Sequence, residues 1–245
     1  MIEPPILHNR PRGALQTVGV WFALVYPALL TWFYFIGMNG QPAANQQAVF
    51  IVGKAIQFAL PIYWLLFVER RRIHWKGPSR SGVIWGIASG LLIGGATLAI
   101  YFGWLLPSGS LATSAEVVRK KLFGMGLTSP AAIIEMSAFY SLVHSLLEEY
   151  YWRWFVFGRL REHSSRPAAI AISSIGFMAH HVILVFSYFP WPWAAAASVG
   201  VAIGGALWAW RYDRDGSLWG PWISHLLVDA AIFAIGFQMA FLARR

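Results

Sequence analysis

Apolar residues fill this chain in long runs, and polar residues gather in the short breaks between them. The runs lie at approximately 14–38, 47–68, 82–106, 131–158, 167–189, 194–210 and 218–241. Most reach the roughly 20 residues that a helix needs to cross a bilayer. A segment crossing lipid must satisfy its own backbone hydrogen bonds, so each run predicts a helix. The expected architecture is an all-α, polytopic transmembrane bundle of about seven spans. It forms a single integral membrane domain over residues 1–245, with the chemistry-bearing part at about 130–241. The segment 107–130 departs from this pattern. Its stretch SAEVVRKKLFGMG is short, basic and amphipathic, which predicts an element lying along the membrane surface. A re-entrant element there would change the span count.

Composition agrees with the pattern. Charged residues make up 12% of the chain, about half of what a soluble domain carries. The net charge of +9 raises nucleic acid as a partner. The basic residues, however, occupy short loops between apolar runs, where they set orientation, so nucleic-acid binding is discounted. A cytoplasmic N-terminus would leave Arg10, Arg12, Arg70, Arg71, Arg72, Lys76, Arg80, Arg159, Arg161, Arg166, Arg211 and Arg214 on that side. Only Arg119, Lys120, Lys121, Arg244 and Arg245 would fall opposite. That imbalance predicts an N-in topology. There is no cysteine, hence no disulfide framework, thiolate metal site or cysteine nucleophile. The opening MIEPPILHNRPRG lacks the features of a cleaved signal peptide. With the small size, this suggests a bacterial cytoplasmic (inner) membrane.

Small residues predict where helices meet. Gly82, Gly86, Gly90 and Gly94 recur every four residues, and Gly200 and Gly204 repeat the spacing in the sixth run. Such faces let backbones approach closely in lipid. The SYFPWPW stretch at 187–193 predicts an interfacial aromatic belt.

Ionisable residues inside hydrocarbon are costly and need partners or a purpose. Lys54 and Glu135 fall near the external ends of their runs, where both can snorkel to the interface. The fourth run carries His144, Glu148, Glu149 and Arg153. Glu149 and Arg153 are four apart and share a face, so they can neutralise each other; a structural ion pair is at least as good an account as catalysis. Glu148 is turned by about 100° from Glu149 and needs its own partner, which His144 one turn earlier could supply. The fifth run holds Phe177, His180 and His181, the last on the face of Phe177. The seventh holds His225 and Asp229, four apart, so that the carboxylate can orient the imidazole or simply close a helix contact. Counting from the cytoplasmic ends, Glu148 lies roughly 15 Å deep, His181 roughly 20 Å, and His225 and Asp229 roughly 10 to 17 Å. Three helices thus present polar groups at comparable depth, which predicts one buried polar pocket.

In order along the chain stand Glu148-Glu149-Tyr-Tyr-Trp-Arg153, Phe177-Met-Ala-His-His181 and His225-Leu-Leu-Val-Asp229. This ordered set resembles the EExxxR, FxxxH and HxxxN/D motifs of the CPBP family of intramembrane proteases. That family includes CAAX prenyl endopeptidases and bacterial proteins linked to bacteriocin processing and immunity. The resemblance covers roughly 130–241 and implies hydrolysis of a peptide bond within the membrane. It implies Glu148 as general base with His181 as its partner in activating water. His225 and Asp229 would face the tetrahedral oxyanion, and Glu149 with Arg153 would hold the helix and orient Glu148. Phe177, His180 and His144 would support the site. If a zinc ion is present, Glu148, His181 and His225 would be its ligands, leaving one position for water. No HExxH helix is present, and a metal-free site is favoured. The expected partners are a membrane-anchored protein or peptide substrate and the bilayer itself. Two other functions compete. A non-catalytic scaffold or bacteriocin-immunity protein of the same fold need not keep all these residues. A proton- or ion-coupled transporter would show inverted repeats or broken helix pairs, which are not seen.

Overall fold

The computed structural model describes residues 14–70 and 72–242, with side chains from residue 17 onward. Arg10, Arg12, Arg71, Arg244 and Arg245, and the opening MIEPPILHNRPRG, lie outside the described residues. Every regular element among the described residues is helical. Seven helices are long and apolar enough to cross a membrane. They are α1 (Thr17–Gly37), α2 (Ala43–Val68), α3 (Arg80–Leu105), α5 (Pro130–His163), α6 (Arg166–Phe186), α7 (Trp191–Asp215) and α8 (Trp219–Leu242). The remaining element, α4 (Ala112–Gly124), spans 13 residues and is too short and polar to cross. It packs on the C-terminal turn of α8, with Phe123 and Phe241 rings 5.9 Å apart. Lys121 of α4 sits 5.2 Å from the ring of Tyr34 at the end of α1. The basic stretch after residue 107 therefore covers one end of the bundle, and the span count stays at seven.

Helix starts follow capping chemistry. Ser79, Ser129 and Ser165 each accept a backbone N–H from the first turn of α3, α5 and α6, satisfying a donor with no partner inside the helix. Pro130 and the Arg166-Pro pair stand where proline's missing N–H costs nothing. At the other end of α7, Gly216 adopts φ 63°, a left-handed cap that lets the chain turn into α8.

Packing of α3 on α8 is the most extensive helix contact. Gly82, Gly86, Gly90 and Gly94 are all buried along it. A Cβ on Gly86 would stand 2.6 Å from the Gly220 carbonyl oxygen, and one on Gly90 would stand 2.8 Å from the Leu227 Cβ. The glycine face of the third run is thus a backbone contact, as its spacing predicts. The sixth run differs. Gly200 is exposed with nothing near it, and the close approach of α7 to α6 is made by Gly205, whose Cβ would meet the Phe177 ring at 3.2 Å. Spacing of four marks a helix face, but it does not tell whether that face meets a helix or lipid. Leu91, Leu92, Ile51 and Ile203 point outward, as expected of an apolar belt.

One end of the bundle is an ion-pair network that joins four helix ends. Arg159 bridges Glu69 (3.0 Å) and Glu162 (2.7 Å). Asp213 accepts from Arg161 (3.0 Å) and Arg166 (2.8 Å), and Arg211 meets Asp215 at 2.6 Å. The Lys76 ammonium donates to the Asp215 carbonyl at 2.5 Å. Arg159, Arg161, Arg166, Arg211 and Lys76, predicted to share one membrane face, therefore share one end of the bundle.

Lys54 corrects the sequence reading. The second span begins at Ala43, so Lys54 lies in mid-helix, about 16 Å from one end of the span and about 21 Å from the other at 1.5 Å per residue. Its ammonium stands 5.5 Å from the rings of both Phe50 and Phe58. It does not snorkel; it is held inside by aromatic faces. Glu135 is exposed, in keeping with a lipid-interface position.

Candidate active site

The fourth span is not a uniform helix. A single α-helical turn, Ser145–Glu149, lies between π-helical stretches at Tyr140–His144 and Tyr150–Phe157. Such wide turns are uncommon and recur at functional sites. Glu148 and Glu149 end the short α-turn, 3% and 0% exposed. Two neighbouring carboxylates cannot be buried without partners, and the structure supplies a different set to each.

Glu149 has a basic side chain at each oxygen. Its Oε2 lies 3.1 Å from Arg153 Nε, and its Oε1 accepts from His225 Nδ1 at 2.8 Å. Arg153 is itself packed 4.5 Å from the Phe177 ring and 5.2 Å from that of Trp208, a placement that suits a planar guanidinium. The pairing expected from their spacing is present, and it extends to a second helix through His225.

Glu148 faces histidines. Its Oε1 lies 3.3 Å from His180 Nε2 and 4.0 Å from His144 Nδ1, and its Oε2 lies 3.8 Å from His225 Nε2. The direct contact from α6 is therefore His180, whereas the sequence motif points to His181. His181 is adjacent: Glu148, His180 and His181 each offer a ligand atom within 4.8 Å of the others. His181 Nδ1 lies 2.9 Å from the Phe177 carbonyl. A carbonyl can only accept, so Nδ1 carries the proton, and the neutral ring presents Nε2 as an acceptor. The two histidines thus divide the work: one contacts the carboxylate, and the other keeps a free nitrogen beside it.

Asp229 stands one turn beyond His225, with Oδ1 3.6 Å from His225 Nε2. His225, Glu148 and Glu149 are deeply buried, whereas His144, His181 and Asp229 are only partly so. The cluster is therefore closed on the Glu149 side and open on the side of these three. All nine residues singled out by the sequence are brought into one group. The three-residue set with metal-ligand geometry is Glu148, His180 and His181, rather than one including His225.

Aromatic rings fix the imidazoles. Phe177, 2% exposed, stands between His181 (centroids 4.6 Å apart), His180 (5.5 Å) and His225 (5.9 Å). Trp208 lies nearly parallel to the His225 ring at 4.2 Å, and Trp152 is parallel to His180 at 5.7 Å. Trp208 Nε1 donates to Ser224 Oγ at 3.0 Å, and Ser224 also accepts from Ser89 of α3 at 3.0 Å. Trp152, Trp208, Ser89 and Ser224 escaped the sequence reading. None stands at a motif position, and tryptophan in an apolar run carries no signal of its own.

Comparison with known proteins agrees with this geometry. No curated protein matches the chain significantly, and no solved structure does. A match is found over residues 130–231, the stretch that holds every residue of the cluster, to the sequence model of one family. Over that stretch this multi-pass membrane protein is similar to the Rce1-like family, described as type II CAAX prenyl endopeptidase.

Proposed function

We propose that the protein is an intramembrane endopeptidase that hydrolyses a peptide bond of a membrane-associated protein or peptide. The observation that carries this reading is the unequal environment of the two carboxylates. Glu149 is tied to Arg153 and His225, whereas Glu148 faces histidines on the open side of the pocket. A prenylated peptide tail is the substrate class that the family description favours.

Glu148 acts as general base. It removes a proton from a water that also hydrogen-bonds to His181 Nε2, and the oxygen attacks the scissile carbonyl. His180, donating to Glu148 Oε1, fixes the carboxylate's orientation. His225 serves the oxyanion. Its Nδ1 donates to Glu149, so Nε2 donates only when the ring carries both protons. In that form Nε2 points among Glu148, Asp229 and the pocket, where developing negative charge can replace a carboxylate as its acceptor. Asp229 orients His225 or, protonated, donates beside it. The leaving amine takes its proton from Glu148, which restores the base.

The donor set of Glu148, His180 and His181, two imidazoles and a carboxylate, also fits a catalytic zinc, with a position left for water. When bound, zinc would supply Lewis-acid activation of that water. We favour the metal-free reading, in which the same residues act directly. Stoichiometric zinc in the purified protein, lost together with activity in Glu148→Ala, would reverse it.

The test uses purified protein in liposomes with a farnesylated peptide and mass spectrometry of the products. Wild type is expected to release a C-terminal fragment and Glu148→Gln none. Equal release by both would overturn the assignment. Asp229→Asn separates the two roles of Asp229: retained cleavage supports a neutral donor, and complete loss supports an ionised orienting group.

A further inference from the structure

Lys54 is the one cation in the middle of a span, among the described residues, that has no carboxylate within salt-bridge distance. Its ammonium lies between Phe50 and Phe58. The Phe58 ring stands edge-on to His144 at 5.7 Å, and His144 reaches Glu148 at 4.0 Å. Two rings therefore separate the ammonium from the carboxylate that would neutralise it. Lys54 is also partly exposed, as are His144, Tyr140, His181 and Asp229. One turn further along α2, Gln57 is 0% exposed, and neither of its amide atoms has a partner. It is offset by about 60° around the helix. A cation held in hydrocarbon without a counterion is costly, and such residues commonly mark the path of a charged ligand.

We propose that Lys54 anchors the C-terminal α-carboxylate of the peptide substrate. This deepens the protease reading and rests on it. The path from the Lys54 ammonium past Phe58 and His144 to Glu148 is spanned by at most about five extended residues. A carboxylate on Lys54 therefore places the bond facing Glu148 a few residues from the peptide's end. The rings of Phe50 and Phe58 lower the local dielectric around the ion pair, which strengthens it relative to one at the surface. The enzyme then trims tails and ignores internal loops of membrane proteins, which have no free carboxylate to offer.

The test measures binding by the Glu148→Gln protein in detergent, so that turnover does not intervene. The probes are a farnesylated peptide ending in a cysteine and three further residues with a free carboxylate, and the same peptide amidated. The free acid is expected to bind at least about tenfold more tightly, the scale of a charge-assisted contact. A second substitution, Lys54→Met, is expected to erase that preference without weakening the amide, and Lys54→Arg is expected to keep it. A preference that survives Lys54→Met, equal affinities in the presence of Lys54, or no saturable binding of either peptide overturns the proposal. Wild-type cleavage separates this from the underlying reading. Cleavage of both peptides at equal rates removes the carboxylate anchor alone, whereas a binding preference with no cleavage removes the protease reading alone.

Discussion

Glu148 and Glu149 are neighbours in the chain with opposite surroundings, and substitutions there should separate stability from chemistry. Glu149 pairs with Arg153 and His225 in a site almost closed to solvent. Removing one partner of a buried pair strands the other, at about 3–5 kcal/mol. Glu149→Leu is therefore expected to lower the thermal midpoint in detergent sharply, and the double substitution Glu149→Leu with Arg153→Leu to recover much of it. A midpoint unchanged by the single substitution would contradict the pairing. Glu148→Gln is expected to keep the wild-type midpoint while turnover falls at least about a hundredfold. Much of this was legible in the sequence, because a separation of four sets Glu149 against Arg153 and His225 against Asp229. Which histidine touches Glu148 was not. His180 and His181 diverge by about 100°, and only the relative rotation of α5 and α6 decides between them. The π-helical turns that flank Glu148 also escape a reading based on 3.6 residues per turn.

Helix contacts position the cluster. α8 carries His225 and Asp229 and is held to α3 by backbone approach at Gly86 and Gly90. Gly86→Ala would press a methyl group on the Gly220 carbonyl, which cannot yield as a side chain can. The expected cost is about 1–3 kcal/mol, typical of overpacking, with reduced turnover as α8 shifts. Gly95, where a Cβ meets nothing within 4 Å, is the control: Gly95→Ala should be neutral or slightly stabilising. Thermal midpoints of the two variants check this, and equal midpoints would contradict it. The α3 glycine face was readable from spacing alone. The α7 face was misassigned to Gly200 and Gly204, because a repeat of small residues carries no record of what lies opposite it. Lys54 was misplaced for a related reason. The polar start of α2, AANQQ, hides about one further turn of helix, which moves the lysine from the rim toward the middle of its span.

At the scale of the whole molecule, hydropathy gives seven spans, and the short amphipathic helix α4 closes one end without adding another. The opposite end gathers Arg159, Arg161, Arg166 and Arg211 into ion pairs, with Lys76 on the Asp215 carbonyl, and the positive-inside rule predicts that this end faces the cytoplasm. The chain has no cysteine, so one introduced thiol reports alone. Ser164→Cys is expected to react with a membrane-impermeant maleimide only after the membrane is opened, and Asn39→Cys in intact cells. The reverse pattern would invert the topology.

Proteolysis by Glu148 is tested most directly by comparing the termini of membrane proteins in native-host cells. The cells carry the wild-type or the Glu148→Gln protein at matched levels. New C-terminal ends present only with wild type are predicted, and they would name the substrate. Identical termini in the two strains, with the wild-type phenotype preserved in the variant, would contradict the enzyme reading and favour a scaffold or immunity role.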